Sequence, residues 1–76
     1  MLKLEEVIGK VLGVKPEDIT DKSSPLTIPA WDSFNGLLLV TELEKNFGVN
    51  FTVEEIGSVK EVGDIKTVLR KHGIAV

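Results

Sequence analysis

A chain of 76 residues with twelve carboxylates, nine Lys or Arg and a net charge of −3 has the length of one domain, residues 1–76. It has no cysteine and one histidine, which excludes disulfides, Cys-type zinc sites, a thiol nucleophile of its own and a multi-His metal site. A globule of this size has a radius of gyration of roughly 11 Å and buries only about 60% of its unfolded surface, so a thin core without a deep pocket is expected.

The acidity disfavours nucleic acid and anionic membranes as partners and favours basic protein surfaces. No apolar run approaches the ~18 residues that span a bilayer, and Met1-Leu2-Lys3-Leu4-Glu5-Glu6 lacks the pattern of a signal peptide. A soluble, cytoplasmic monomer is the expectation.

In chain order, Leu4, Val7, Ile8, Val11 and Leu12 recur at helical spacing. Lys3, Glu5, Glu6 and Lys10 take the other face, with Glu6 and Lys10 a favourable i, i+4 pair. Gly13 stands where a left-handed cap would end the helix. Residues 14–32 form a long connection broken by Pro16, Pro25 and Pro29. Pro16-Glu17-Asp18-Ile19 suits one helical turn. Apolar anchors at Val14, Ile19, Leu26, Ile28 and Trp31 mark the connection as packed, and a structured connection of this length is often functional.

Asp32 is a good N-cap for a second helix, which runs without proline for about 22 Å to Phe47 and closes on Gly48. Gly36, Leu37, Leu39, Val40, Leu43 and Phe47 share the face expected to be core. Phe34, Leu38, Thr41 and Lys45 lie opposite, where two large apolar side chains are out of place. Thr52-Val53-Glu54-Glu55 fits a capping box for a short third helix ending near Gly57, and Ser58-Val59-Lys60-Glu61 fits a second. Val62, Ile65, Val68 and Leu69 give the last helix its stripe, and Arg70, Lys71 and His72 suit its negative end. Val49 and Phe51 read as core plugs. The architecture is all-α, three main helices plus one short helix, with a long loop between helices 1 and 2.

Catalytic chemistry has little to stand on. A nucleophilic serine needs a base, and His72, the only histidine, reads as a solvated residue in the last turn. A hydrolase would have to depend on it. Paired acids such as Glu5/Glu6 and Glu54/Glu55 complement helix dipoles, and no Gly-rich cluster precedes a helix. Asp32 and Ser33 read on pattern alone as ordinary capping residues. Their setting adds something: a serine at a helix start reached by a long loop is accessible, and a phosphoester there would meet unpaired N–H groups.

Trp31-Asp32-Ser33-Phe34, followed by Leu37, Leu39-Val40, Leu43-Glu44 and Phe47-Gly48-Val49, resembles the acyl carrier protein family, whose second helix opens on Asp-Ser-Leu. Pro16-Glu17-Asp18-Ile19 and Val62-Gly63-Asp64-Ile65 resemble its other motifs, in the same order along nearly the whole chain. The resemblance implies a four-helix bundle and a 4′-phosphopantetheine on Ser33, placed by a phosphopantetheinyl transferase that binds Mg²⁺ in its own complex. Asp32 would help position the modification. The group's thiol would hold an acyl thioester, so the protein would shuttle cargo without catalysing anything and meet acyl-activating, acyl-transfer or synthase enzymes.

Three departures bear on the role. Phe34 replaces the usual leucine. The second helix has only Glu42 and Glu44 as acids, with Asn35, Leu38 and Lys45 where acids are typical of fatty-acid-synthesis carriers. Gly36 costs roughly 1 kcal/mol inside a helix, in return for close packing or local give. These point to a carrier for a dedicated fatty-acid, lipid or polyketide-type pathway. Phe34, Leu38 and Thr41 are the candidate partner-binding face, unless the loop covers it. Trp31, also a candidate contact, reads first as a packing anchor. A peptidyl or aminoacyl carrier and an unmodified helical interaction module are the alternatives.

Overall fold

Capping chemistry sets the helix boundaries. The computed structural model describes residues 3–76 and contains α1 (Lys3–Leu12), α2 (Ser33–Phe47), α3 (Val53–Ser58) and α4 (Val62–Lys71), with a 3-10 turn at Pro16–Asp18. No strand occurs among the described residues, and none of their helices is long and apolar enough to cross a membrane. The fold is the expected helical bundle with its long α1–α2 loop, and the radius of gyration is 11.1 Å.

α1 ends on Gly13 at φ 70°, with the Gly13 and Val14 N–H groups both donating to the Gly9 carbonyl. The chain folds back over α1 so closely that a Cβ on Gly9 would lie 2.5 Å from the Val14 carbonyl oxygen. α1 packs along α2, and Leu4, Ile8 and Leu12 meet Leu39 and Leu43 in the core. α4 completes it with Val62, Ile65, Val68 and Leu69, and Phe51 plugs it from the α2–α3 connection.

The loop is ordered by its own hydrogen bonds and by α4. Thr20 N–H donates to the buried Ser23 hydroxyl at 2.9 Å, and Ser24 N–H donates to Thr27 Oγ1 at 2.9 Å. The Val62 and Gly63 N–H groups, which lack helical partners, donate to the Ser23 and Asp21 carbonyls at 2.9 and 2.8 Å. Lys66 Nζ reaches Asp21 at 2.6 Å and Glu5 at 3.6 Å, tying loop, α4 and α1 together. The Lys66 hydrogen bond and charge lower the Asp21 pKa, and the same bond raises that of Lys66.

Several expectations are corrected. Leu26, expected as an anchor, is 96% exposed at a turn held by Ser24 and Thr27. Leu37, expected in the core, is 61% exposed, because α1 meets α2 along Leu39 and Leu43 and leaves Leu37 at the edge. The second capping box does not form at Ser58: its hydroxyl donates to the Glu55 carbonyl inside α3, and the Asp64 carboxylate accepts from Lys60 and Glu61 N–H instead. α3 runs past Gly57 to Ser58. Glu6 and Lys10 make no ion pair among the described residues.

Leu43 is completely buried between α1 and α4. Leu43→Ala is expected to lower the unfolding free energy by about 2–5 kcal/mol, read as a lower midpoint in urea with an unchanged slope.

Candidate functional site

Ser33 is the first residue of α2, and the local sequence explains why it stands there in the open. Asp32 is extended at φ −102° and its Oδ1 accepts the Asn35 N–H at 2.8 Å, while its carbonyl accepts Gly36 N–H. Asn35 Nδ2 donates to the Ala30 carbonyl at 2.8 Å, stapling the helix start to the loop behind it. Among the described residues, the Ser33 hydroxyl has no hydrogen-bond partner. The exposed hydroxyl therefore lies at the positive end of a four-turn helix, where an attached anion is favoured.

Ser33 also heads a stripe. Gly36, Leu37 and Val40 follow it at i+3, i+4 and i+7, the same side of the helix. That side lines a cleft of about 580 Å³ whose walls are Pro25, Trp31, Asp32 and Ser33 at one end, and Leu39, Leu43, Phe51, Ile56, Val59 and Ile65 within. Gly36 stands above Trp31, and half-buried Ile56 of α3 and the Val59 that follows pack against the core and line the same cleft. The signal was present in the sequence as a glycine one turn below the serine on an otherwise apolar stripe. Gly36 is not forced by crowding, since a Cβ there would touch Trp31 Nε1 at an ordinary 3.5 Å.

The remaining candidate residues divide. Phe34 is 71% exposed and Leu38 43%, so the loop does not cover them, and exposed Leu37 extends their surface to the cleft mouth. Thr41 is exposed but its hydroxyl donates back to the Leu37 carbonyl at 3.1 Å. Trp31 is 7% exposed and packs in the core, in line with its first reading as a packing anchor, and it also lines the cleft.

The charges around this face are engaged elsewhere. No charged residue lies between Ser33 and Thr41. Glu44 accepts the Phe51 N–H at 2.8 Å, and Glu42 pairs with Lys45 at 3.7 Å. His72 is exposed at the end of α4, as expected. Its Nε2 lies 3.1 Å from Glu55, and its ring stacks on Phe51 rather than standing by Ser33 as a base. Glu55 escaped notice in the sequence because its visible role, the capping box, already accounted for it.

A family model described as phosphopantetheine attachment site matches residues 3–69. The meromycolate extension acyl carrier protein of Mycobacterium leprae is 28% identical over 68 residues, covering 90% of this chain and 59% of that protein. Proteins of the same description from Mycolicibacterium aurum and Mycolicibacterium smegmatis are each 26% identical over 68 residues, covering 90% of this chain and 70% and 69% of theirs. The chain thus spans about six-tenths to seven-tenths of these relatives' length.

Because Asp32 caps α2 with one hydrogen bond, Asp32→Ala is expected to cost about 1 kcal/mol of stability. Thermal unfolding checks it, and Asp32→Ser should recover most of the loss.

Proposed function

The chain belongs to the phosphopantetheine attachment-site family and to the acyl carrier proteins within it, and on that premise we propose that Ser33 is its attachment residue and that residues 1–76 act as one carrier domain. Members of that family carry 4′-phosphopantetheine covalently. Bound, the group supplies the thiol on which an acyl chain travels as a thioester.

The observation that carries the reading is the exposed Ser33 at the head of α2 on the rim of an apolar cleft. The residues present fit the group. The Ser33 hydroxyl is accessible, the first turn of α2 favours its phosphate, and Asp32 fixes the backbone that presents it. Leu37, Val40 and Ile56 offer apolar surface beside it against which a hydrocarbon chain can lie. The relatives' names, which speak of meromycolate extension, favour acyl over aminoacyl cargo and a specialised lipid pathway.

Purified protein incubated with coenzyme A, Mg²⁺ and a broad-specificity phosphopantetheinyl transferase should gain the mass of one phosphopantetheine, and Ser33→Ala should gain none. Absence of the gain with several transferases would leave an unmodified interaction module.

Partners, in this reading, meet the Phe34–Leu37–Leu38 surface beside the attachment point. With Glu42 and Glu44 already paired, apolar contact rather than charge steering sets affinity. Phe34→Ser and Leu38→Ser are each expected to raise the transferase KM about tenfold, while the wild-type KM stays nearly flat between low and high salt. A steep rise of KM with salt would show that charge governs docking.

A further inference from the structure

Trp31 keeps a polar atom that the fold leaves unused. The side chain is only 7% exposed and packs in the core. Its backbone N–H donates to the Ile28 carbonyl at 2.9 Å, but its indole N–H has no hydrogen-bond partner among the described residues. A tryptophan buried this far ordinarily gives its N–H to an acceptor. Every side-chain N or O sealed from solvent among the described residues does have a partner, so the indole N–H faces open space.

Gly36 shows where that space is. A Cβ on Gly36 would lie 3.5 Å from Trp31 Nε1 and 3.6 Å from Cδ1, so the nitrogen-bearing edge of the ring faces a position of α2 without a side chain. Both residues line the cleft that Ser33 heads. Glycine is unfavourable inside a helix, and a contact of 3.5 Å is ordinary, so neither propensity nor crowding accounts for Gly36. Its missing side chain leaves the N–H uncovered. The cleft wall offers no comparable donor among the described residues. Its other polar side chains are Asp32, an acceptor already holding the Asn35 N–H, and Ser33, whose hydroxyl proton is lost on esterification.

Resting on the carrier reading, we propose that the Trp31 indole N–H, left open by Gly36, binds the arm on Ser33 by donating to the arm's amide carbonyl nearest the phosphate. Gly36 stands three residues beyond Ser33, about 4.5 Å along the helix axis. The donor and the attachment oxygen are thus about one turn apart on one side of α2. That separation suits an acceptor a few bonds past the phosphate rather than the distant thiol end or its cargo. The phosphate is served by the unpaired N–H groups at the helix start. An amide carbonyl that leaves water for an apolar wall loses hydration, a cost that a donor in the wall offsets. Two successive acceptors of the arm therefore meet two donors one turn apart, and the arm leaves Ser33 along α2 towards the cleft.

The chain has one tryptophan, so nitrogen-labelled protein gives one indole N–H resonance. It is followed through the apo, holo and octanoyl-loaded forms, with a carbon label in that carbonyl of the arm. Conversion to the holo form should move the indole proton downfield and slow its exchange with water roughly three- to tenfold, as for one neutral hydrogen bond. The labelled carbonyl should shift from its position in free phosphopantetheine, and acylation should leave both signals where the bare arm put them. In Trp31→Phe, which keeps an aromatic ring and removes the donor, the carbonyl should return to the free position. Gly36→Ala guards against a packing defect in that variant. Alanine favours the helix over glycine and its methyl covers the N–H at an ordinary distance, so the fold is kept while both shifts shrink. An indole signal unchanged between apo and holo protein overturns the proposal, as does a carbonyl that ignores both variants. A shift that appears only on acylation, or that phosphorylation of Ser33 without the arm reproduces, assigns the donor to cargo or phosphate and overturns it too. Failure to gain phosphopantetheine sinks the carrier reading and this inference together, whereas a full mass gain with unmoved signals sinks this inference alone.

Discussion

The first turn of α4 is the constraint on which the site depends. A helix start leaves backbone N–H groups unpaired, and here the long loop supplies acceptors. Ser23 and Asp21 carbonyls take the Val62 and Gly63 N–H groups, and the Asp64 carboxylate takes those of Lys60 and Glu61. Each helix-to-loop bond satisfies α4 and fixes a stretch of loop at once. Ordering a connection of this length costs roughly 1–2 kcal/mol per residue in backbone entropy, so it needs such anchors along its length. Ile19, Ile28 and Trp31 supply the apolar ones, and Lys66 adds an ionic one at Asp21. What emerges from the end of the loop, Asp32 and Ser33, follows directly on the buried Trp31 and is tied back by Asn35 to the Ala30 carbonyl.

That arrangement separates two jobs that α2 would otherwise confuse. Leu39 and Leu43 bind it to α1 and α4, while Phe34, Leu37 and Leu38 stay in water. Neighbouring large apolar side chains in solvent serve no purpose in folding, and such patches mark surfaces that meet something else. The same helix has its acids engaged internally, Glu44 on the Phe51 N–H and Glu42 on Lys45. Its outward character is therefore apolar from Ser33 to Thr41. Glu44 connects this surface to the cleft as well, because the N–H it accepts belongs to the residue whose ring lines that cleft.

Much of this was legible in the sequence. Asp32, Thr52 with Glu55, Gly13 and Gly48 mark helix ends by local chemistry, which needs no tertiary partner, and all act as that chemistry requires. The order of motifs from Pro16 to Ile65 carried the family. What escaped depends on neighbours. A helical wheel puts Leu37 and Leu39 on one broad face, but only the line along which α1 lies decides that Leu39 is buried and Leu37 is not. Ser58-x-x-Glu61 and Glu61-x-x-Asp64 compete for the same turn, and the second prevails because Val62 and Gly63 must face the loop. The cleft is a volume left unfilled between elements, which no single segment encodes. Leu26 shows the same limit from the other side, since hydrophobicity alone does not say that a turn points outward.

The cleft thus has two walls with different fastenings. On the loop side, Lys66 bridges Asp21 and Glu5, its side chain is mostly buried, and its bond to Asp21 raises its pKa above the ordinary lysine value. That fastening stays charged as pH moves across neutrality, and it is backed by two backbone hydrogen bonds. On the α3 side no fully buried side chain and no interhelical backbone bond contributes among the described residues, and the fastening is half-buried Ile56 with Val59, together with the contacts of Glu55 to Lys71 and His72. Small-scale opening draws on the least stable element. If the cleft opens, α3 gives way while the wall bearing Ser33 stays in place. In the proposed carrier role Ser33 has to be presented reproducibly to each partner, whereas the space beside it has to admit and release. The fold gives the first a loop clamped to α4 and the second a short helix with no fully buried side chain.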